Sequence, residues 1–469
     1  MPQGSHSVTV RAVIPAEVGM LGRVMAALGA AGGEVGAVDL VRSSRGATVR
    51  DITVYTGDES GEAALSAALD DLDGVEIESI NDQIFLAHAG GKLGMKNSAR
   101  VSTRDDLAMA YTPGVARVCM AIHDDFDAAW DYTIKGNSVM VVSDGSSVVG
   151  QGDLGPEAAL PALEAKCMFL RELAGVDAFP LPVTARDPDE IAGIVERTSS
   201  VFAGVQLTDV AAPRCFTLRR TLVNNLDIPV FSDDQGGTAV ALLAALTNGL
   251  KLAGKKLADA RVVVSGLGPG GVATVRLLAA AGAGAVIACD SRGAVHRGRS
   301  ELGGELDRIA ELTNPDNETG DARTLVRGAD AFIGLSVPGL LNEDDVRGMA
   351  DDPVVLALAM PEPEVSPAVA RATGAVYATG RPDIPNQINS AVAFPGIWRG
   401  MLDTRATSLE APMLLAAAEA IAAIPPAESP LSRESIVPSV LNPDLVPAVA
   451  AAVSRAATEC GVARVPASA

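Results

Sequence analysis

Apolar and polar residues alternate from the start of the chain. In "SVTVRAVI" (7–14) Val8, Val10, Ala12 and Ile14 share one face, the period of a half-buried strand. "GMLGRVMAALGAAG" changes to helical spacing and ends in glycines. "EVGAVDLV" and "TVRDITVY" read as strands, "GEAALSAALDDL" as a helix, and "GVEIESI" as a last strand. The order βαββαβ predicts a ferredoxin-like unit. "AHAGGKLG" reads as a linker. Residues 90–240 mix helices with short strands, punctuated by "YTPG", "SDGSS", "GDLGP" and "AAPR". From 241 the pattern is cleaner. "TAVALLAALTNGLKLAG" is a helix, and "ARVVVSGLGPGGVATVRLLAAAGAGAVIACD" runs strand, turn, helix, strand. "DAFIGLSV" and "PVVLALAM" are apolar runs of the kind buried in a parallel sheet. Residues 404–469 are mostly Ala-rich helix.

These patterns predict an α/β protein in four parts: a ferredoxin-like domain (1–88), a mixed α/β domain (89–240), which the family resemblance described below makes the catalytic one, a Rossmann-type domain (241–403) and a helical C-terminal segment (404–469). Composition narrows the function. With 469 residues, 48% hydrophobic but 3% aromatic, the cores must be built from aliphatic side chains. A net charge of −21 argues against nucleic acid or an anionic membrane as partner. It also obliges any anionic substrate to find a local basic pocket. The five cysteines (119, 167, 215, 289, 460) show no metal or disulfide spacing. The N-terminal residues hold no apolar signal core, so a cytoplasmic location is expected.

"GLGPGG" (266–271) is a GxGxxG turn between a strand and a helix, with Asp290 ending the next strand. That context is the dinucleotide fingerprint. Gly266 allows the tight turn, Gly268 the approach of a pyrophosphate, and Gly271 close helix packing. Asp290 suits a free ribose and hence NAD. Ser291 and Arg292 leave NADP open.

"FSDDQGGTA" (231–239) places two acids side by side, Asp233 and Asp234, and something must offset their repulsion. A solvated turn would do so, and so would a cation. Lys166, set among Ala, Cys, Met and Phe, is a candidate base, with desolvation expected to lower its pKa. The alternative is a snorkelling surface lysine. Tyr111, before a Thr-Pro-Gly turn, is a candidate proton donor, against simple packing.

"LAMAYTPGVARVC", "WDYTIKGNSVMVVSDGSSVVG", "ELAGVDAFP", "DVAAPRCF", "IPVFSDDQGGTA", "ATGRPDIPNQIN" and "AFPGIWRG" together resemble malic enzymes of the bacterial short-subunit type. "VIPAEVGMLGRV" resembles the first loop and helix of ACT domains, which often bind amino acids between paired copies. The resemblance implies NAD(P)-dependent oxidative decarboxylation of malate to pyruvate. It implies that Lys166 takes the hydroxyl proton, Asp233 orients it, and Tyr111 protonates the enolate carbon. It further implies Mg2+ or Mn2+ held by Asp209 and Asp234, a homodimer or larger assembly, and an amino-acid effector at the ACT-like domain.

Several positions depart from the family. Thr208 stands where a glutamate ligand is expected. Met360 and Ser390 replace two substrate-binding asparagines, while Asn389 is kept. Two alternatives therefore stand beside malate: another malate-related 2-hydroxy acid as substrate, or a non-catalytic sensor of NAD and amino acids.

Overall fold

The computed structural model describes residues 6–44, 46–57, 60–300, 302–424 and 430–466. Residues 1–5 of the N-terminal stretch and 425–429 of the C-terminal segment lie outside the described residues. Contacts divide the chain into two units, 1–94 and 95–469.

The first unit has strands β1 (His6–Pro15), β2 (Glu34–Ser43), β3 (Ala47–Thr56) and β4 (Glu76–Asp82). Their order in the antiparallel sheet is β2-β3-β1-β4. Helices Met20–Ala30 and Ser60–Asp70 complete the βαββαβ sequence. The alternation in β1 does what its period requires. Val8, Val10, Ala12 and Ile14 face a core with Val24, Leu28, Ile52, Val54, Leu65 and Leu69. Gly19 precedes the first helix with φ +85°, a left-handed conformation suited to glycine. The stretch read as a linker begins inside a short helix, Gln83–His88, whose start is capped by the Asp82 side chain.

The second unit holds two further sheets. One is parallel: β5 (Ser138–Ser143), β6 (Asp177–Pro182), β7 (Gly204–Leu207) and β8 (Val230–Ser232), in the order β6-β5-β7-β8. The other contains β9 (Arg261–Ser265), β10 (Ala285–Asp290), β11 (Gly293–Ala294), β12 (Ala331–Gly334), β13 (Val354–Ala357) and β14 (Val376–Thr379). Its order is β11-β10-β9-β12-β13-β14, parallel except for the β10–β11 hairpin. Helix Thr238–Leu252, buried on nearly every side, joins the sheets. Helix Phe394–Asp403, at the end of the Rossmann-type range, packs against Leu445–Glu459, which with Ala411–Ala423 forms the C-terminal segment. They are tied back to the first of these sheets by Trp398, whose Nε1 donates to Gln206 Oε1 at 2.6 Å. Gly204 lies under the indole, where a Cβ would come within 2.2 Å of the ring.

Candidate active site

Side chains at the C-terminal ends of parallel strands point into the crevice above the sheet. Leu207 of β7 pairs with Ser232 of β8, so the residues that follow, Thr208–Asp209 and Asp233–Asp234, leave the sheet side by side. Lys166 approaches them from the middle of helix Pro156–Ala174. Its Nζ lies 2.8 Å from Asp233 Oδ2 and 3.4 Å from Asp234 Oδ1, and donates to Thr208 Oγ1. The lysine side chain is 17% exposed and that of Asp233 1%. Lys166 is therefore a buried, paired cation and not a snorkelling surface residue.

The electrostatics correct one expectation. Burial alone would depress the Lys166 pKa, but the charges of Asp233, Asp234 and Asp209 overcome it, and the pKa is raised. Desolvation does not by itself make this lysine a base near neutrality. Asp233 is pushed up to about 6, first by burial and then by its neighbouring acids, against the pull of Lys166.

Asp209 has a left-handed backbone (φ 55°), an uncommon state for a residue with a side chain. Its N–H donates to Asp234 Oδ2 at 2.6 Å, and its Oδ1 accepts from Val149 N at 3.2 Å. Its Oδ2 is buried without a hydrogen-bond partner. Burial raises its pKa as well. An orphaned carboxylate oxygen beside a second carboxylate fits a cation. Among the described residues no cluster of three or more His, Cys, Asp or Glu side chains is arranged for a metal. Any cation would thus rest on two acids, with Thr208 beside them.

The glycine turn sits next to this group. Gly266 (φ 97°) could not carry a Cβ, which would fall 2.2 Å from Leu335 O. A Cβ on Gly271 would overlap Gly266 O at 1.8 Å, while one on Gly268 would face open space. These are the roles the motif requires. A Cβ on Gly270 would lie 3.2 Å from Asp234 O, so the glycine turn and the acidic turn are packed together. A cavity of about 1000 Å³ extends from the turn past Asp290 and Ser291. That volume suits a dinucleotide.

Asp290 is not free. Arg299 grips its carboxylate at 2.9 and 2.7 Å, and Arg292 N donates to Oδ1 at 2.8 Å. Arg299 was not anticipated. Eight residues, among them the two of β11, separate it from Asp290, and no local period links them. Its second guanidinium nitrogen donates to Gly293 O and Ala294 O.

The remaining candidates lie around the rim. Ser390 is half-buried, its Cβ 3.0 Å from where one on Gly237 would lie. Asn389 is exposed, and its Oδ1 caps the following turn at Ala391 N, 2.9 Å. Met360 is 55% exposed beside Gly380. Tyr111 is not brought to the lysine. It ends helix Arg104–Ala110, is 67% exposed, and no hydrogen bond joins it to Lys166 or Asp233.

The chain is similar to known proteins in sequence and fold. Residues 91–187 match the malic enzyme N-terminal domain and 235–458 the malic enzyme NAD binding domain. An NAD-dependent malic enzyme of Geobacillus stearothermophilus is 46% identical over 465 residues, 99% of this chain and 97% of that protein. A bifunctional malic/malolactic enzyme of Bacillus subtilis is 45% identical over 377 residues, 80% of this chain and 92% of the other. The solved structure of an NAD-dependent malic enzyme from Thermotoga maritima superposes with a TM-score of 0.76 at 38% identity, covering 80% of this chain and 99% of that one. With its two-sheet catalytic unit, its glycine turn and these relatives, the chain belongs to the malic enzyme family.

Proposed function

We propose that this protein oxidises and decarboxylates malate to pyruvate and CO2 with a nicotinamide dinucleotide, NAD in preference to NADP. The observation that carries the proposal is the buried Lys166–Asp233 pair at 2.8 Å, next to the glycine turn and its cavity. Lys166 Nζ takes the proton of the C2 hydroxyl, and a bound nicotinamide dinucleotide would supply the hydride acceptor for C2. Asp233 holds the lysine in position and balances its charge when it is protonated. Loss of the C4 carboxylate leaves an enolate at C2–C3. Lys166 returns its proton toward the enolate oxygen, and Tyr111 is the assigned donor to C3. Asp209 and Asp234 would hold a divalent cation, which would polarise the substrate oxygens and offset the carboxylate charge that keeps Lys166 protonated. The orphaned Asp209 Oδ2 supports that assignment.

Oligomerisation is part of the reading. Helices Arg104–Ala110 and Gly114–Asp124 contain no buried residue, yet expose Leu107, Met109, Val115, Val118 and Met120. An amphipathic helix without a core to face is stable only against a partner. A second copy covering this face would make a homodimer or larger assembly and could bring Tyr111 to a lysine. The first unit, with its βαββαβ order and Gly19 turn, is assigned as an ACT-like regulatory domain that takes an amino acid.

The test is kcat/KM for malate, with NAD and with NADP, against a panel of 2-hydroxy acids. Malate should be the best substrate, at about 10⁴ M⁻¹s⁻¹ or more. A tenfold advantage for a less polar analogue would shift the assignment to that acid, and would trace to Met360 and Ser390. Absence of turnover with every acid would favour a sensor.

A further inference from the structure

A second, smaller cavity lies beside the cofactor cavity. It measures about 150 Å³ and shares Phe216, Arg220 and Glu305 with its larger neighbour. Four arginines from three helices converge on it. Arg219 and Arg220 come from Arg214–Asn225, Arg276 from the glycine-turn helix Pro269–Ala280, and Arg308 from Glu305–Leu312. One acid answers them: Glu305 pairs with Arg276 and, at 3.3 Å, with Arg308. Arg219 and Arg220 have no ion pair or hydrogen bond among the described residues.

Four arginines against one glutamate is the reverse of the chain as a whole, which carries a net charge of −21. Arg219 is the most affected, since its pKa is lowered by burial and then by the positive charge of Arg276. Glu305 and Glu410 offset this only in part, and a partly buried guanidinium facing another cation without an ion pair of its own is costly. Such a cluster is stable when an anion supplies the missing charge.

We propose that this cavity is a phosphate site, occupied by a dianionic phosphoryl group. The chemistry favours phosphate over a planar carboxylate. Arginines from three helices line one small cavity, which suits tetrahedral oxygens better than a single planar edge, and arginine forks match phosphate edges. The volume admits one such group and little more. Gln235, the residue after Asp234, lines the same cavity and is buried. A phosphate here therefore touches the acidic turn on one side and the cofactor cavity on the other. Two sources share this chemistry: a free or metabolite phosphate acting as effector, and the 2′-phosphate of NADP reaching past Arg220.

The experiment needs no turnover, so it stands apart from the substrate assignment. The full chain is titrated with inorganic phosphate by calorimetry, and its Tm is followed in phosphate and in chloride at matched ionic strength. Saturable binding and a phosphate-specific rise in Tm are expected. Arg219→Gln should raise the Tm in phosphate-free buffer, by removing a charge that Glu305 and Glu410 only partly compensate, and should abolish the phosphate response. Arg308→Gln, at an exposed and already paired position, should keep the response with about tenfold weaker binding. It serves as the reading if Arg219→Gln fails to fold. Displacement of phosphate by NADP but not by NAD would assign the site to the cofactor's 2′-phosphate. Binding alongside both would make it a separate effector site. Equal responses to phosphate and chloride, or equal phosphate responses in wild type and both variants, would overturn the proposal.

Discussion

The helix that carries Lys166 and the helices around Tyr111 stand at opposite extremes of the second unit. Helix Pro156–Ala174 buries Ala159, Leu163, Cys167, Leu170 and Ala174, and sets its lysine among three acids. Helices Arg104–Ala110 and Gly114–Asp124 bury nothing and leave Tyr111 in the open. One half of the proposed proton-transfer machinery is completed by the fold of a single chain, and the other half is not. A buried charge pair must be satisfied within the core that holds it, whereas an exposed apolar face is satisfied by association.

The largest effect should come from the completed half. Lys166→Ala is expected to lower kcat by at least about a thousandfold, the scale of a lost general base. Binding of NAD, followed by calorimetry, should persist because the glycine turn is untouched. Retention of most of the turnover would remove Lys166 from its role.

The open half is tested by mixing. Tyr111→Phe and Lys166→Ala should each be inactive alone. If the tyrosine comes from a second copy, refolding them together as randomly paired dimers should restore about a quarter of wild-type activity, because half the dimers carry one intact site of two. No recovery would place both groups in the same chain.

A smaller effect is expected at Asp290. Asp290→Ser releases Arg299 from its ion pair and removes a negative charge from the cavity. The ratio of kcat/KM for NADP over NAD should rise about tenfold, equivalent to 1.4 kcal/mol. Adding Arg299→Leu should cancel most of that gain. If it does not, Arg299 merely positions Asp290.

The smallest change concerns the cation. Thr208→Glu adds a third carboxylate beside Asp209 and Asp234, and should tighten Mn2+ binding to the free protein by several-fold, read by calorimetry. Tight wild-type binding that the substitution leaves unchanged would show that Asp209 and Asp234 suffice.

The alternation of Val8, Val10, Ala12 and Ile14 sufficed for the first strand, because a period of two admits only one buried face. The glycines at 266 and 271 sufficed for the shape of the turn, because a Cβ at either position would strike backbone. Adjacent acids at 233 and 234 announced an electrostatic problem that something had to solve. All of these are constraints between residues close in the chain, and they are legible there. Tertiary structure decided the rest. That Lys166 is held charged depends on Asp209, Asp233 and Asp234 meeting it from two other strand ends. That Asp290 is gripped depends on where an irregular loop returns Arg299. The arginines at 219, 276 and 308 are unremarkable in their own helices and form a cavity only when three helices converge. Coulomb energies depend on distance in space and on burial, and neither quantity is written in the order of residues.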